Sequence, residues 1–175
     1  TVRDETPLRN GLADWRSAFR TGDAIDIQLG PAGKRDGHPI AGDVRLLLVP
    51  DRDGAMAVRY RPVVPGTPED DRATFTSPIC TTSIDDVAIT EKVDVAFKKT
   101  KDGYACEAAM PLEVFGIAPE AGQGFAGDIG VLSSDGGGQQ TSARNYLFNQ
   151  TWTMTADLCS EAMLKPNTWG TFVFE

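Results

Sequence analysis

The chain has 175 residues, of which 41% are hydrophobic and 24% are charged, and its net charge is −8 at pH 7. This composition is typical of a folded globular protein, and the length suits a single domain, residues 1–175, with a full hydrophobic core. No apolar run is long enough to span a membrane, and the lysines and arginines are scattered rather than clustered. The sequence therefore predicts no membrane insertion and no nucleic-acid partner.

The first informative segment begins with a helical period. Leu12, Trp15 and Phe19 recur at the spacing that places side chains on one face of a helix. Asn10 is predicted to cap the start of this helix, and Gly22 is predicted to end it. On this pattern Trp15 belongs mainly to the core.

The residues that follow change to a period of two. Ile25, Ile27 and Leu29 alternate with Asp26 and Gln28. Because successive side chains of a strand point to opposite faces, this pattern predicts a half-buried strand with a polar face.

The rest of the chain predicts short strands that are separated by turns, with one helical turn starting at Pro111. The Pro-rich passage at 61–71 cannot occupy a central strand and is predicted to be an edge or a loop. Together with the strand that contains Ile25, Ile27 and Leu29, the chain has about nine predicted strands and little predicted helix. This content predicts an all-β fold, an antiparallel β-sandwich (jelly-roll-like) with one or two short helices. The further predicted strands are residues 43–49, 55–61, 84–89, 93–97, 104–110, 128–134, 142–148 and 169–174.

The three cysteines lack the CxxC spacing of a zinc or thioredoxin-like site. Cys106 alternates with apolar residues inside a predicted strand, which indicates a buried thiol. Cys80 and Cys159 lie at the ends of predicted strands and could pair if the compartment is oxidising. An odd number of cysteines leaves at least one thiol free or bonded to another chain.

Three passages taken together, residues 4–30, 103–117 and 143–175, resemble carbohydrate-binding module family 9 and the wider group of DOMON-like domains. Residues 42–49 also fit the family pattern. The resemblance implies a β-sandwich that binds a glycan without cleaving it, as an accessory domain of a larger exported bacterial protein. An extracytoplasmic location, secreted or periplasmic, follows from the same resemblance.

The chain departs from the family at its start, because members usually have additional strands before the segment that matches Asp4. The sheet is therefore expected to lack strands at its N-terminal edge. Such an edge would be filled by another polypeptide, by a swapped segment or by a second copy of the chain.

The resemblance implies that a glycan end is held between two tryptophans, and the chain contains Trp15, Trp152 and Trp169. Trp152 is the best candidate for stacking on a sugar, because it stands in a polar stretch without an apolar period. A loop aromatic that folds back over the core is the alternative interpretation. Trp15 is a weaker candidate, and Trp169 is expected to be structural. Four upstream residues are predicted to bond sugar hydroxyls: Arg144, Tyr146, Asn149 and Gln150.

Calcium is the first cofactor considered, since modules of this kind carry structural ions. Asp51 and Asp53 have the acidic spacing of a calcium loop, but the later ligands are missing and a hairpin turn explains them better. Asp85, Asp86 and the acidic run 69–71 are interpreted as solvated charges. No metal site and no cofactor are assigned, and calcium is kept as an alternative.

Haem b is the rival cofactor, because some DOMON-like domains bind it through Met together with His or Lys. The single histidine, His38, lies in a loop rich in glycine and proline, and Met110 is expected in the core. A haem-binding electron-transfer domain and a structural domain without a small ligand are the two alternatives to glycan binding.

Catalysis has less support in the sequence. The sequence contains no GxSxG, HExxH or Cys–His arrangement. Because it has 25 acidic residues, some pair of carboxylates will resemble a glycosidase site by chance. The chain is predicted not to be an enzyme.

Overall fold

The computed structural model describes residues 1–11, 14–52, 54–118, 120–155 and 157–175. Two residues used in the predictions, Leu12 and Asp53, lie outside the described residues. The described chain consists mostly of antiparallel strands arranged in several sheets, which confirms the all-β, sandwich-like fold. None of its helices is long and apolar enough to cross a membrane.

The described residues form twelve strands, one α-helix and four short 3-10 helices. The 3-10 helices are Trp15–Ser17, Glu69–Asp71, Leu112–Phe115 and Pro166–Thr168. The strands and the α-helix are β1 (Val2–Arg3), β2 (Ala24–Pro31), β3 (Val44–Asp51), β4 (Gly54–Arg61), β5 (Ala73–Thr76), β6 (Thr81–Ile84), β7 (Asp86–Ile89), β8 (Asp94–Thr100), β9 (Gly103–Ala109), β10 (Gly124–Ser134), β11 (Thr141–Tyr146), β12 (Gly170–Val173) and α1 (Leu158–Ala162).

A large sheet with the order β11-β10-β2-β3-β4-β7 forms the centre of the fold, and β12 pairs with β10 beside it. A small sheet has the order β1-β9-β8, and β5 and β6 form a separate hairpin. Every strand pair is antiparallel. The strand β3 is the most buried, because it lies inside the large sheet and apolar residues cover both of its faces.

Each face of the large sheet carries its own hydrophobic cluster. Apolar residues of β8, of β9 and of the helical turn after Pro111 cover one face. The segment around Trp15, the β5-β6 hairpin and α1 cover the other face. The buried members of the first cluster are Val44, Leu46, Leu48, Ala57, Val93, Val114 and Phe115. The second cluster contains Ala18, Phe19, Ala24, Leu47, Val49, Val58, Tyr60, Phe75, Ile84, Leu132 and Ala162.

The prediction of one continuous strand at 84–89 is wrong, because the structure contains two strands there, β6 and β7. The chain changes sheets at Asp85: β6 pairs with β5, whereas β7 pairs with β4. The Asp85 carboxylate accepts the Val64 amide at 2.7 Å and pairs with Arg72 at 3.1 Å, so it fixes this crossing point.

The prediction of a helix that starts at Asn10 and ends at Gly22 is also wrong. The helical segment is the single 3-10 turn Trp15–Ser17, and Asp14 caps it by accepting the Arg16 amide at 3.0 Å. Asn10 instead forms a β-bridge with Gly22. Gly22 has a φ of +143°, and a Cβ atom there would lie 2.5 Å from the Arg9 carbonyl oxygen, so the close approach of two chain segments requires glycine.

The polar face predicted for β2 is not a solvent-facing one. Asp26 and Gln28 are buried, with 0% and 7% of their surface exposed, whereas the three apolar residues of the opposite face are only half-buried. The polar face is covered because Arg45 on β3 supplies a cation that pairs with Asp26. The strand was therefore predicted correctly, but its orientation was not.

The structure joins Cys80 and Cys159 in a disulfide and leaves Cys106 free. Cys80 ends the turn between β5 and β6, and Cys159 lies in α1. The bond therefore ties together two of the elements that cover the second cluster. Burial raises the pKa of the Cys106 thiol to about 11, so this thiol is protonated and weakly reactive at neutral pH.

Candidate binding site around Trp152

A network of buried polar side chains lies on the polar face of β2. Arg45 donates two hydrogen bonds from Nε and one from Nη2 to the Asp26 carboxylate, the shortest at 2.7 Å, and its Nη1 donates to the Glu161 carbonyl oxygen at 2.8 Å. Burial by itself would lower the pKa of Arg45, but the charge and hydrogen bonds of Asp26, together with the nearby Tyr146 and Tyr60, outweigh burial and raise it. Arg45 is therefore charged inside the fold.

Arg144 and Tyr146 extend this network. Arg144 Nη2 lies 2.5 Å from Glu161 Oε2 and 2.7 Å from the Phe19 carbonyl oxygen, and Nη1 donates to the Tyr146 hydroxyl at 3.2 Å. The Tyr146 hydroxyl in turn donates to Asp26 Oδ2 at 2.6 Å. Two of the residues predicted to surround a sugar are thus placed in the interior network, and their contact with a ligand stays a prediction.

Trp152 lies outside both hydrophobic clusters. It is half-buried and does not belong to the apolar residues that pack against either cluster in the described part of the chain. The Lys165 ammonium group lies 4.3 Å from the centre of its ring, in cation–π geometry. Trp152 is therefore a surface aromatic rather than a core residue.

The loop that carries Trp152 is held by a buried carboxylate. Asp128 on β10 accepts the backbone amides of Ile129 at 2.9 Å, Phe148 at 3.0 Å and Asn149 at 2.8 Å. The Asn149 side chain then accepts the Trp152 amide at 3.1 Å. The two hydrogen bonds from Phe148 and Asn149 tie the turn to β10, so Trp152 is presented from a defined backbone.

The sequence predictions missed the role of Asp128, although a signal for it exists. Asp128 stands at a buried position of β10, in register with Gln28 of β2, where an apolar residue would be expected. A carboxylate at such a position must be satisfied by donors nearby, and here the donors are the amides that follow β11.

The other predicted site residues are dispersed. Asn149 is buried, whereas Gln150 is exposed and precedes Trp152 by two residues in the chain. Trp15 packs against the second cluster and carries the Arg16 guanidinium 4.3 Å above its ring, with no contact to Trp152 among the described residues. Trp169 donates from Nε1 to Gln28 Oε1 at 2.9 Å, so it is attached to the interior network.

The structure also shows the surroundings of the residues that the sequence offers for calcium or haem binding. Asp51 is exposed and accepts the Arg52 amide at 2.6 Å, and Asp86 pairs with Arg59 and Arg61. Within the described ranges no group of three or more His, Cys, Asp or Glu residues could hold a metal ion. His38 is exposed in its loop, and Met110 packs against the first cluster.

Comparison with family models, curated proteins and solved structures yields no match. The function of this protein therefore has to be argued from its own residues.

Proposed function

We propose that the chain is a non-catalytic carbohydrate-binding domain of a larger exported bacterial protein, and that Trp152 makes the principal contact with the glycan. The observation that carries this proposal is the placement of Trp152 on a fixed turn outside both hydrophobic clusters. A sugar ring presents an apolar C–H face that stacks on an indole ring, and this contact needs an aromatic side chain that the core does not use.

The neighbours of Trp152 suit the polar part of such a contact. The Lys165 ammonium group lies over one face of the ring, 4.3 Å from its centre, and the exposed Gln150 lies two residues away in the loop. Both can donate hydrogen bonds to sugar hydroxyls, and Gln150 can also accept one. The disulfide between Cys80 and Cys159 supports the exported location, because such bonds persist in oxidising compartments.

Replacing Trp152 by alanine tests the proposal. Glycans that bind the unchanged protein on an array are measured by titration calorimetry, and we expect Trp152→Ala to weaken binding about five- to tenfold, since a lost stacking contact is worth about 1–1.5 kcal/mol. Trp152→Phe should retain part of the affinity.

Met154→Ala is the matched control, because Met154 is an exposed apolar residue of the same loop, and we expect it to leave the affinity unchanged. An array on which no glycan binds, or a folded Trp152→Ala protein that binds as tightly as before, would contradict the proposal.

A second candidate function is the binding of a partner strand at the N-terminal edge of the small sheet. The strand β1 covers only Gly103 and Tyr104 of β9, and no other described strand pairs with β9 on that side. On the large sheet, Ile129 and Leu147 are 43% and 57% exposed. We propose that an extended polypeptide continues the line of β1 along β9, because the strand edge there is unpaired.

Hydrogen exchange and light scattering test the partner strand together. An open edge predicts rapid exchange of the outward-facing amides of residues 105–109 in a monomer, and their protection in an oligomer if a second copy fills the edge. A monomer in which all amides of β9 exchange slowly would rule out the open edge.

A further inference from the structure

A cleft of about 640 Å³ opens at one end of the sandwich and shares no lining residue with the surface around Trp152. Four segments form it: the N-terminal residues 8–11, the turn that joins β3 and β4, the end of β8, and the glycine-rich loop that follows β10. Its volume lies in the range of sites for small organic ligands.

The described lining of the cleft carries an excess of positive charge on an acidic protein. Arg9, Arg52 and Lys99 line it together with a single described carboxylate, that of Asp51, whereas the whole chain has a net charge of −8. None of the three cations forms an ion pair with a described residue. Three basic side chains around one cavity attract an anionic ligand.

Buried contacts fix the backbone that carries Arg9. The Arg9 amide donates to Asp23 Oδ2 at 2.6 Å, and the Asp23 amide donates to the Arg9 carbonyl oxygen at 2.8 Å. The other oxygen of this buried carboxylate accepts the Ser134 amide at 2.6 Å. The Arg9 segment is therefore held against the end of β10.

The glycine-rich loop permits this arrangement. Gly138 has a φ of +67°, and a Cβ atom there would lie 2.5 Å from the Cβ of Arg9. A Cβ atom on Gly11 would lie 2.5 Å from the Gly138 carbonyl oxygen. Only glycine allows the loop and the N-terminal segment to approach this closely, so the wall of the cleft depends on both.

Phe97 gives the cleft an apolar surface. Its ring is half-buried, packs against the first hydrophobic cluster and lies 5.8 Å from the ring of Tyr104. Guanidinium groups bind carboxylate and sulfate groups through two parallel hydrogen bonds, and an aromatic ring accepts the apolar face of a sugar. The cleft combines both kinds of contact.

We infer that this cleft binds an acidic saccharide, with a carboxylate or sulfate group held by Arg9, Arg52 and Lys99 and a sugar ring against Phe97. The saccharide part rests on the proposed function, whereas the recognition of the anionic group rests on the cleft alone. The site is separate from Trp152, so Trp152→Ala should leave binding in the cleft unchanged.

Titration calorimetry of the full chain at low salt tests the inference with trigalacturonate, a sulfated disaccharide, neutral galactotriose and inorganic sulfate. We expect at least one acidic saccharide to bind, and Arg9→Gln, Arg52→Gln and Lys99→Gln each to weaken it at least tenfold. Lys98→Gln is the matched control, because it removes the same charge from the adjacent, exposed position of β8 that does not line the cleft. The affinity of Lys98→Gln for the acidic saccharide should stay within twofold of that of the unchanged protein. Higher salt should weaken binding of the acidic saccharide to the unchanged protein.

Several results would overturn the inference. One is that neutral galactotriose binds as tightly as the acidic saccharides. Another is that Lys98→Gln weakens binding of the acidic saccharide as much as Lys99→Gln does. A third is that neither acidic saccharide binds. If inorganic sulfate binds as tightly as the acidic saccharides, the saccharide part is wrong and the ligand is a free anion. Loss of binding in Trp152→Ala would show that the two sites are not separate. Circular dichroism of each variant confirms that it is folded.

Discussion

Replacing Arg45 by methionine should lower the free energy of unfolding by about 3–5 kcal/mol, because it leaves the buried carboxylate of Asp26 without its cation. Asp26 has no exposed surface, so water cannot replace the lost partner. The remaining donors to this carboxylate are the Tyr146 hydroxyl at 2.6 Å and the Gln28 amide at 3.1 Å, and both are neutral. Urea unfolding followed by circular dichroism measures the change.

A double variant separates the loss of the pair from the loss of one partner. Asp26→Leu together with Arg45→Met removes both charges, and we expect it to recover most of the stability that Arg45→Met loses. If the free energy of unfolding of Arg45→Met falls by less than about 1 kcal/mol, the prediction is contradicted, because Asp26 then does not need Arg45.

The same network shows why the strands could be predicted from sequence but not their orientation. The alternation in β2 is a local pattern, and it fixed the strand to within two residues. The burial of Asp26 and Gln28 depends on Arg45, Tyr146 and Trp169, which come from three distant parts of the chain. A local pattern contains no information about partners of this kind, so it could not show which face of the strand is buried.

The candidate site could be predicted only in part, for a related reason. The polar sequence around Trp152 has no apolar period, and Trp152 belongs to neither hydrophobic cluster of the described chain, while its contact with a glycan stays a prediction. The upstream residues Arg144 and Tyr146 belong to β11, whose alternation turns them inward to the buried network. The helix α1 was not predicted at all, because five residues are too few to show a helical period, although Asp157 caps it by accepting the Ser160 amide at 2.7 Å.

Removing the disulfide should have an effect of similar size to that of Arg45→Met. The bond joins residues 79 positions apart. Closing a loop of that length lowers the entropy of the unfolded chain and so raises its free energy by about 4 kcal/mol. Reduction, or the double variant Cys80→Ser and Cys159→Ser, should lower the melting temperature by roughly 10 °C. The slope of unfolding against urea should increase, because the chain without the cross-link unfolds to a less compact state.

Cys106→Ser is the matched control for this experiment, because it removes a thiol that forms no disulfide. Burial raises the pKa of Cys106 to about 11, so its thiol is protonated at neutral pH and should not exchange with the disulfide in the folded protein. Reductant should therefore destabilise the unchanged protein and Cys106→Ser to the same extent. An unchanged melting temperature on complete reduction would show that the contacts of α1 with the β5-β6 hairpin hold this side of the fold without the covalent bond.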